Sequence, residues 1–105
     1  MKAKISVTEG SARVFLGNWK GARPTPTEAP YEGEVDGDWA VGSASSPGNF
    51  KPGKFTITPL EDGHLKVFTE DSGNISEMIP VDAGSVYSYD TIESNAYTVS
   101  AYATD

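Results

Sequence analysis

Phe55-Thr56-Ile57-Thr58-Pro59-Leu60-Glu61-Asp62-Gly63-His64-Leu65-Lys66-Val67-Phe68-Thr69-Glu70 is the stretch whose reading decides the fold. Apolar and polar side chains alternate on both sides of Glu61-Asp62-Gly63, which is the period of a half-buried strand. Asp-Gly tolerates the positive φ angles of a tight turn, so Phe55–Leu60 and His64–Glu70 read as a hairpin. Downstream the pattern continues. Asp71-Ser72-Gly73-Asn74 separates a strand at Ile75–Val81, Asp82-Ala83-Gly84 leads into Ser85–Ile92, and Glu93-Ser94-Asn95 into Ala96–Thr104. Five strands joined in order by short turns predict an antiparallel meander.

Upstream, Ala3, Ile5 and Val7 share one face of Lys2–Thr8, and Lys2, Lys4, Ser6 and Thr8 share the other. Glu9-Gly10-Ser11 reads as a turn, and Ala12–Trp19 as a second strand with Val14 and Leu16 on one face. From 20 to 38 the character changes. Pro24, Pro26 and Pro30 cannot sit inside a paired strand. They favour extended, polyproline-like backbone, and a long irregular loop is expected there. Trp39–Ala44 forms a short strand, and Ser43–Gly53, rich in Ser, Gly and Pro, a second loop. No window of eleven residues carries apolar positions at helical spacing. The expectation is one all-β domain over residues 1–105, a small antiparallel barrel or β-sandwich of about eight strands. A continuous meander closes on itself without crossovers, which favours the barrel.

Composition narrows the function classes. Adding 11 glycines to the 37% of other apolar residues gives an ordinary globular content for 105 residues. Without cysteine there is no disulfide framework, thiolate metal site or cysteine nucleophile. Met1–Gly10 has no apolar h-region, so no signal peptide is expected and the cytoplasm is the default location. No unbroken apolar run exceeds three residues, as in Val14-Phe15-Leu16, so no helical membrane span is expected. Fifteen carboxylates against eight lysines and arginines give a net charge of −7. That sign repels a phosphate backbone and an anionic bilayer, and suits either solubility or a basic partner surface.

Glu32, Glu34, Asp36 and Asp38 recur at every second position of Tyr31–Trp39. On extended backbone all four point the same way. Such a row holds a hard cation such as calcium, guards an edge strand against pairing, or docks the lysines and arginines of a partner. It lacks the Asp-x-Asp-x-Asp-Gly loop with a distal Glu, and no metal or other cofactor is assigned. Trp19 and Trp39 bracket the 20–38 segment and Tyr31 lies inside it. Aromatic side chains at such places stack on sugars, fill partner pockets or close an end of the core. Tyr87 and Tyr89 share a strand face and, with Tyr102, form a candidate exposed ladder. His64, the single histidine, stands beside Asp62 with no serine or lysine arrangement for nucleophilic catalysis. No catalytic residue is assigned, and Gly33, Gly37 and Gly42 lack the lysine and helix of a phosphate loop.

Phe15-Leu16-Gly17-Asn18-Trp19 resembles the Gly-x-Trp signature near the start of lipocalin-like barrels, where the tryptophan packs across the barrel base. The resemblance covers five residues and assigns no ligand-binding residue. The expected function is a non-enzymatic protein-interaction module. Its sharper form is a small acidic inhibitor docking on a basic surface, for example one that binds nucleic acid, through Tyr31, Glu32, Glu34, Asp36 and Asp38. A carbohydrate-binding module using Trp19, Tyr31 and Trp39, and a structural subunit such as a virion component, are the alternatives.

Overall fold

The computed structural model describes residues 1–17, 25–42, 51, 53–68, 76–91 and 101–103. Among them are ten strands and no helix: β1 (Ala3–Glu9), β2 (Ser11–Leu16), β3 (Thr27–Glu28), β4 (Tyr31–Val35), β5 (Trp39–Gly42), β6 (Lys54–Pro59), β7 (Gly63–Phe68), β8 (Ser76–Val81), β9 (Tyr87–Asp90) and β10 (Ala101–Ala103). The protein is all-β, as the period-two alternation requires. All strand pairings are antiparallel. No helix among the described residues is long and apolar enough to cross a membrane.

Two sheets form, one ordered β4-β1-β6-β9 and the other β3-β2-β5-β10-β7-β8. They share a single hydrophobic cluster. The first sheet contributes Ala3, Ile5, Val7, Val35, Phe55 and Ile57, and the second contributes Trp39, Val41, Leu65, Val67 and Val81 among others. Across β1 and β6, Ile5 faces Ile57 and Val7 faces Phe55, so the predicted inner face of Lys2–Thr8 meets its apolar partners directly. Such cross-strand pairs are the unit of sheet stabilisation.

The chain passes from one sheet to the other at a corner. The register of β1 against β6 shifts between Val7 and Glu9, and Gly10 follows with φ of 61°. That positive φ suits glycine and lets β1 bend directly into β2. β3 and β4 turn the same corner on the neighbouring track, where the Ala29 amide donates to the Gly10 carbonyl at 2.9 Å. Buried Ser11 and Thr91 brace the bend. The Ser11 hydroxyl accepts from the Lys51 amide at 2.8 Å, while the Thr91 hydroxyl accepts from the Gly53 amide at 2.7 Å and donates to the Ser11 carbonyl at 2.9 Å.

Three expectations change. First, the irregular loop expected over 20–38 carries β3 and β4. Both are outermost in their sheets, where the flanking Pro26 and Pro30 cost no ladder bond. Second, the Glu61-Asp62-Gly63 hairpin does not form, and the meander is replaced by crossings between sheets. β6 pairs with β1 and β9, while β7 pairs with β8 and β10. Tertiary hydrogen bonds pull the segment across. The Leu60 amide donates to the Lys2 carbonyl, the Lys2 amide to Glu61 Oε1, and the Ala83 amide to Asp62 Oδ1. Gly63 is already the first residue of β7, opposite Val81. Of the sequential pairs expected in the meander, β7–β8 forms. Third, β2 is covered on both sides. Val14 packs against the core as predicted, but Leu16 is 64% exposed, and Arg13 and Phe15 of the opposite parity are buried. β5 is buried along its whole length, which is why it reads as an unbroken apolar run.

Tyr87 and Tyr89 also depart from the exposed ladder. Both pack half-buried against the core, Tyr89 with its ring centroid 5.8 Å from that of Phe55. Burial, and to a lesser degree the neighbouring Tyr87, push the Tyr89 phenol above its ordinary 10.0. A raised folded-state value means that the stabilisation is full below the unfolded value and is lost as pH rises through the folded one. The difference in urea midpoint between wild type and Tyr89→Phe is therefore expected to shrink or invert as pH rises above about 10. A pH-independent difference contradicts this.

Candidate interaction surface

Among the described residues β4 is the outermost strand of its sheet, hydrogen-bonded to β1. Its alternation places Val35 in the core and turns Glu32 and Glu34 outward, opposite Ser6 and Lys4 of β1. The acidic row predicted from every-second-residue spacing is therefore real over two residues. It stops at Val35, because Asp36–Asp38 leave the strand in a turn with Gly37 at φ of 69°. Asp36 Oδ1 there accepts the Gly37 amide at 2.8 Å, and the Asp38 carbonyl accepts the Gly17 amide at 2.9 Å. All four acidic residues are exposed, but they do not form one file.

Tyr31 has the parity of Val35, not of the two glutamates. It lies at the open end of the core, 39% exposed, with its phenol folded along the strand over Gly33. An aromatic ring covering an edge glycine shields backbone that would otherwise be bare. Tyr31 therefore lies on one face of the β4 edge and Glu32 and Glu34 on the other. Beside the edge lies a shallow depression of about 550 Å³ lined by Ser6, Val7, Thr8, Pro30, Tyr31 and Glu32. A smaller one of about 340 Å³ is lined by Lys4, Glu32, Gly33 and Glu34.

Between Thr25 and Gly42 there are five carboxylates and no lysine or arginine. Two of the five meet cations from elsewhere: Lys4 Nζ stands 3.0 Å from Glu32 Oε1, and Lys51 Nζ 3.6 Å from Glu28 Oε1. Both pairs are well exposed, and pairs of this kind contribute about 0–1 kcal/mol.

Trp39 leaves the candidate set. It is fully buried, and its Nε1 donates to the Met1 carbonyl at 2.7 Å, so it belongs to the core. Trp19 lies outside the described residues, as does most of the expected 43–53 loop. No group of three His, Asp or Glu among the described residues is arranged to hold a metal ion. His64 is exposed on β7 opposite Pro80, and the Asp62 carboxylate beside it is engaged by Ala83. The residues that sequence reasoning missed are Ser6, Thr8 and Pro30. They are ordinary polar or turn residues until β1 and β4 pair.

No protein-family model, curated protein or solved structure matches this chain.

Proposed function

We propose that this chain is a non-enzymatic protein-interaction module that engages a basic surface of a partner protein along the β4 edge. The observation that carries the reading is the composition of that edge. A strand that is outermost among the described residues presents two outward carboxylates on one face and an exposed tyrosine on the other, next to a shallow depression. Edge strands offer unpaired backbone groups to an added strand, and tyrosine is enriched at the centres of binding surfaces. Carboxylates at the rim steer a cationic partner and set the salt dependence of association. The acidic-inhibitor form of the proposal adds that the partner surface is one that otherwise binds nucleic acid. The carbohydrate reading loses support because Trp39, one of its three aromatic platforms, is enclosed.

Affinity capture from source lysate with the wild-type chain and with a Glu32→Lys/Glu34→Lys double variant tests the proposal. A partner is expected on the wild type, absent from the variant, and released as the Debye length shrinks from about 8 Å at physiological ionic strength to about 3 Å in 1 M salt. Nucleic acid added to the lysate is expected to compete if the inhibitor form holds. Partners retained equally by both chains and indifferent to salt overturn docking by charge along β4.

A further inference from the structure

The sequence contains two Asp-Gly pairs, Asp36-Gly37 and Asp62-Gly63, and the fold treats them differently. We propose that Asp36 is a site of spontaneous aspartate isomerisation in the folded protein, and that Asp62 is protected from the same reaction. The proposal rests on local geometry and is independent of what β4 binds.

The reaction needs the backbone nitrogen of the following residue beside the side-chain carboxyl carbon. Glycine permits this because it has no side chain to obstruct the ring and adopts the required backbone angles. At Asp36 both conditions hold. Its Oδ1 lies 2.8 Å from the Gly37 nitrogen, so Cγ, one bond away, is next to the attacking atom. Gly37 sits at φ of 69° in an exposed turn between β4 and β5, open to the water the reaction uses. At Asp62 the carboxylate instead accepts the Ala83 amide at 2.9 Å, and Gly63 is held in β7 opposite Val81. Holding two groups together accelerates their reaction, and holding them apart suppresses it.

The chemistry balances without a co-reactant other than water. The Gly37 nitrogen loses its proton and bonds to Asp36 Cγ, and the protonated carboxyl releases one oxygen as water. Water then opens the five-membered imide at either carbonyl. Opening at one carbonyl restores aspartate, and opening at the other leaves the main chain running through the former side chain. Mass is unchanged, but the β4–β5 turn gains a methylene in its backbone.

The test incubates the intact protein at neutral pH and 37 °C, folded and in denaturing guanidinium. Asp36 and Asp62 fall in different tryptic peptides, cut after Lys20, Lys54 and Lys66. Isoaspartate in each is read by fragmentation mass spectrometry and by labelling with an isoaspartyl methyltransferase. In the folded protein the Asp36 peptide is expected to convert on the order of tenfold faster than the Asp62 peptide, a ratio that the fixed geometry produces. In guanidinium the two rates are expected to become equal. An Asp36→Glu variant, which keeps the charge but lengthens the side chain, is expected to lose the first signal. Equal rates in the folded protein, faster conversion at Asp62, or a difference that persists after unfolding would each overturn the proposal.

Discussion

Gly53→Ala is expected to cost at least about 3 kcal/mol, enough to remove a large part of the stability of a small domain. A Cβ at residue 53 would overlap the Glu9 carbonyl and stand 2.7 Å from the Gly10 Cα. Those atoms are backbone at the corner where β1 becomes β2, so no side-chain rotation relieves the clash. Moving residue 53 also separates its amide from Thr91 Oγ1 and its carbonyl from the Thr91 amide, which now lie at 2.7 and 2.8 Å. Gly33→Ala is the matched comparison, because its new methyl meets the end of the Tyr31 side chain, which can swing away. Urea unfolding followed by far-ultraviolet circular dichroism is expected to show a severe loss for Gly53→Ala and a small one for Gly33→Ala. Similar midpoints for the two variants contradict the close approach at the corner.

Trp39→Ala is expected to lose about 3–5 kcal/mol, the range for deleting a buried aromatic side chain. The indole is fully buried in the cluster shared by both sheets and is the largest fully buried side chain among the described residues. Trp39→Phe separates its two roles. The ring volume is largely retained, but the 2.7 Å hydrogen bond to the Met1 carbonyl is lost, at a cost of about 0.5–1.5 kcal/mol. The expected order of thermal midpoints is wild type, then Trp39→Phe, then Trp39→Ala. Were Trp39→Ala to unfold with the wild type, the indole would be a surface group and the two-sheet core described above would be wrong.

These two residues also mark how far the sequence could be read. Ala3, Ile5 and Val7 declare their strand because a half-buried strand has a period of two, and burial follows that period from Ala3 to Thr8. Pairing order is not local in the same way. Glu61-Asp62-Gly63 carries a good hairpin signal, but Lys2 and Ala83, distant in sequence, supply the hydrogen bonds that draw the segment into the other sheet. The strands at 27–28 and 31–35 were hidden by prolines, which an edge strand tolerates and a central one does not.

The candidate surface was legible in part. Glu32 and Glu34 follow from spacing, whereas Asp36 and Asp38 leave the row because Gly37 turns the chain. An indole suits a sugar platform and a core equally well, so nothing around Trp39 could assign it before the sheets were seen. The Ser11–Thr91 contact joins residues 80 apart, and no sequence pattern announces it.

The brace at the corner has a kinetic consequence. In the first sheet β1 pairs with β4 and β6, β6 pairs with β9, and Thr91 reaches back across 80 residues to Ser11. Each of these pairings closes a long loop before its contacts repay the lost entropy. During synthesis the amino-terminal strands must therefore wait, unsealed, until residue 91 has left the ribosome. The protein is expected to fold in milliseconds to seconds, as β-rich domains of distant pairings do.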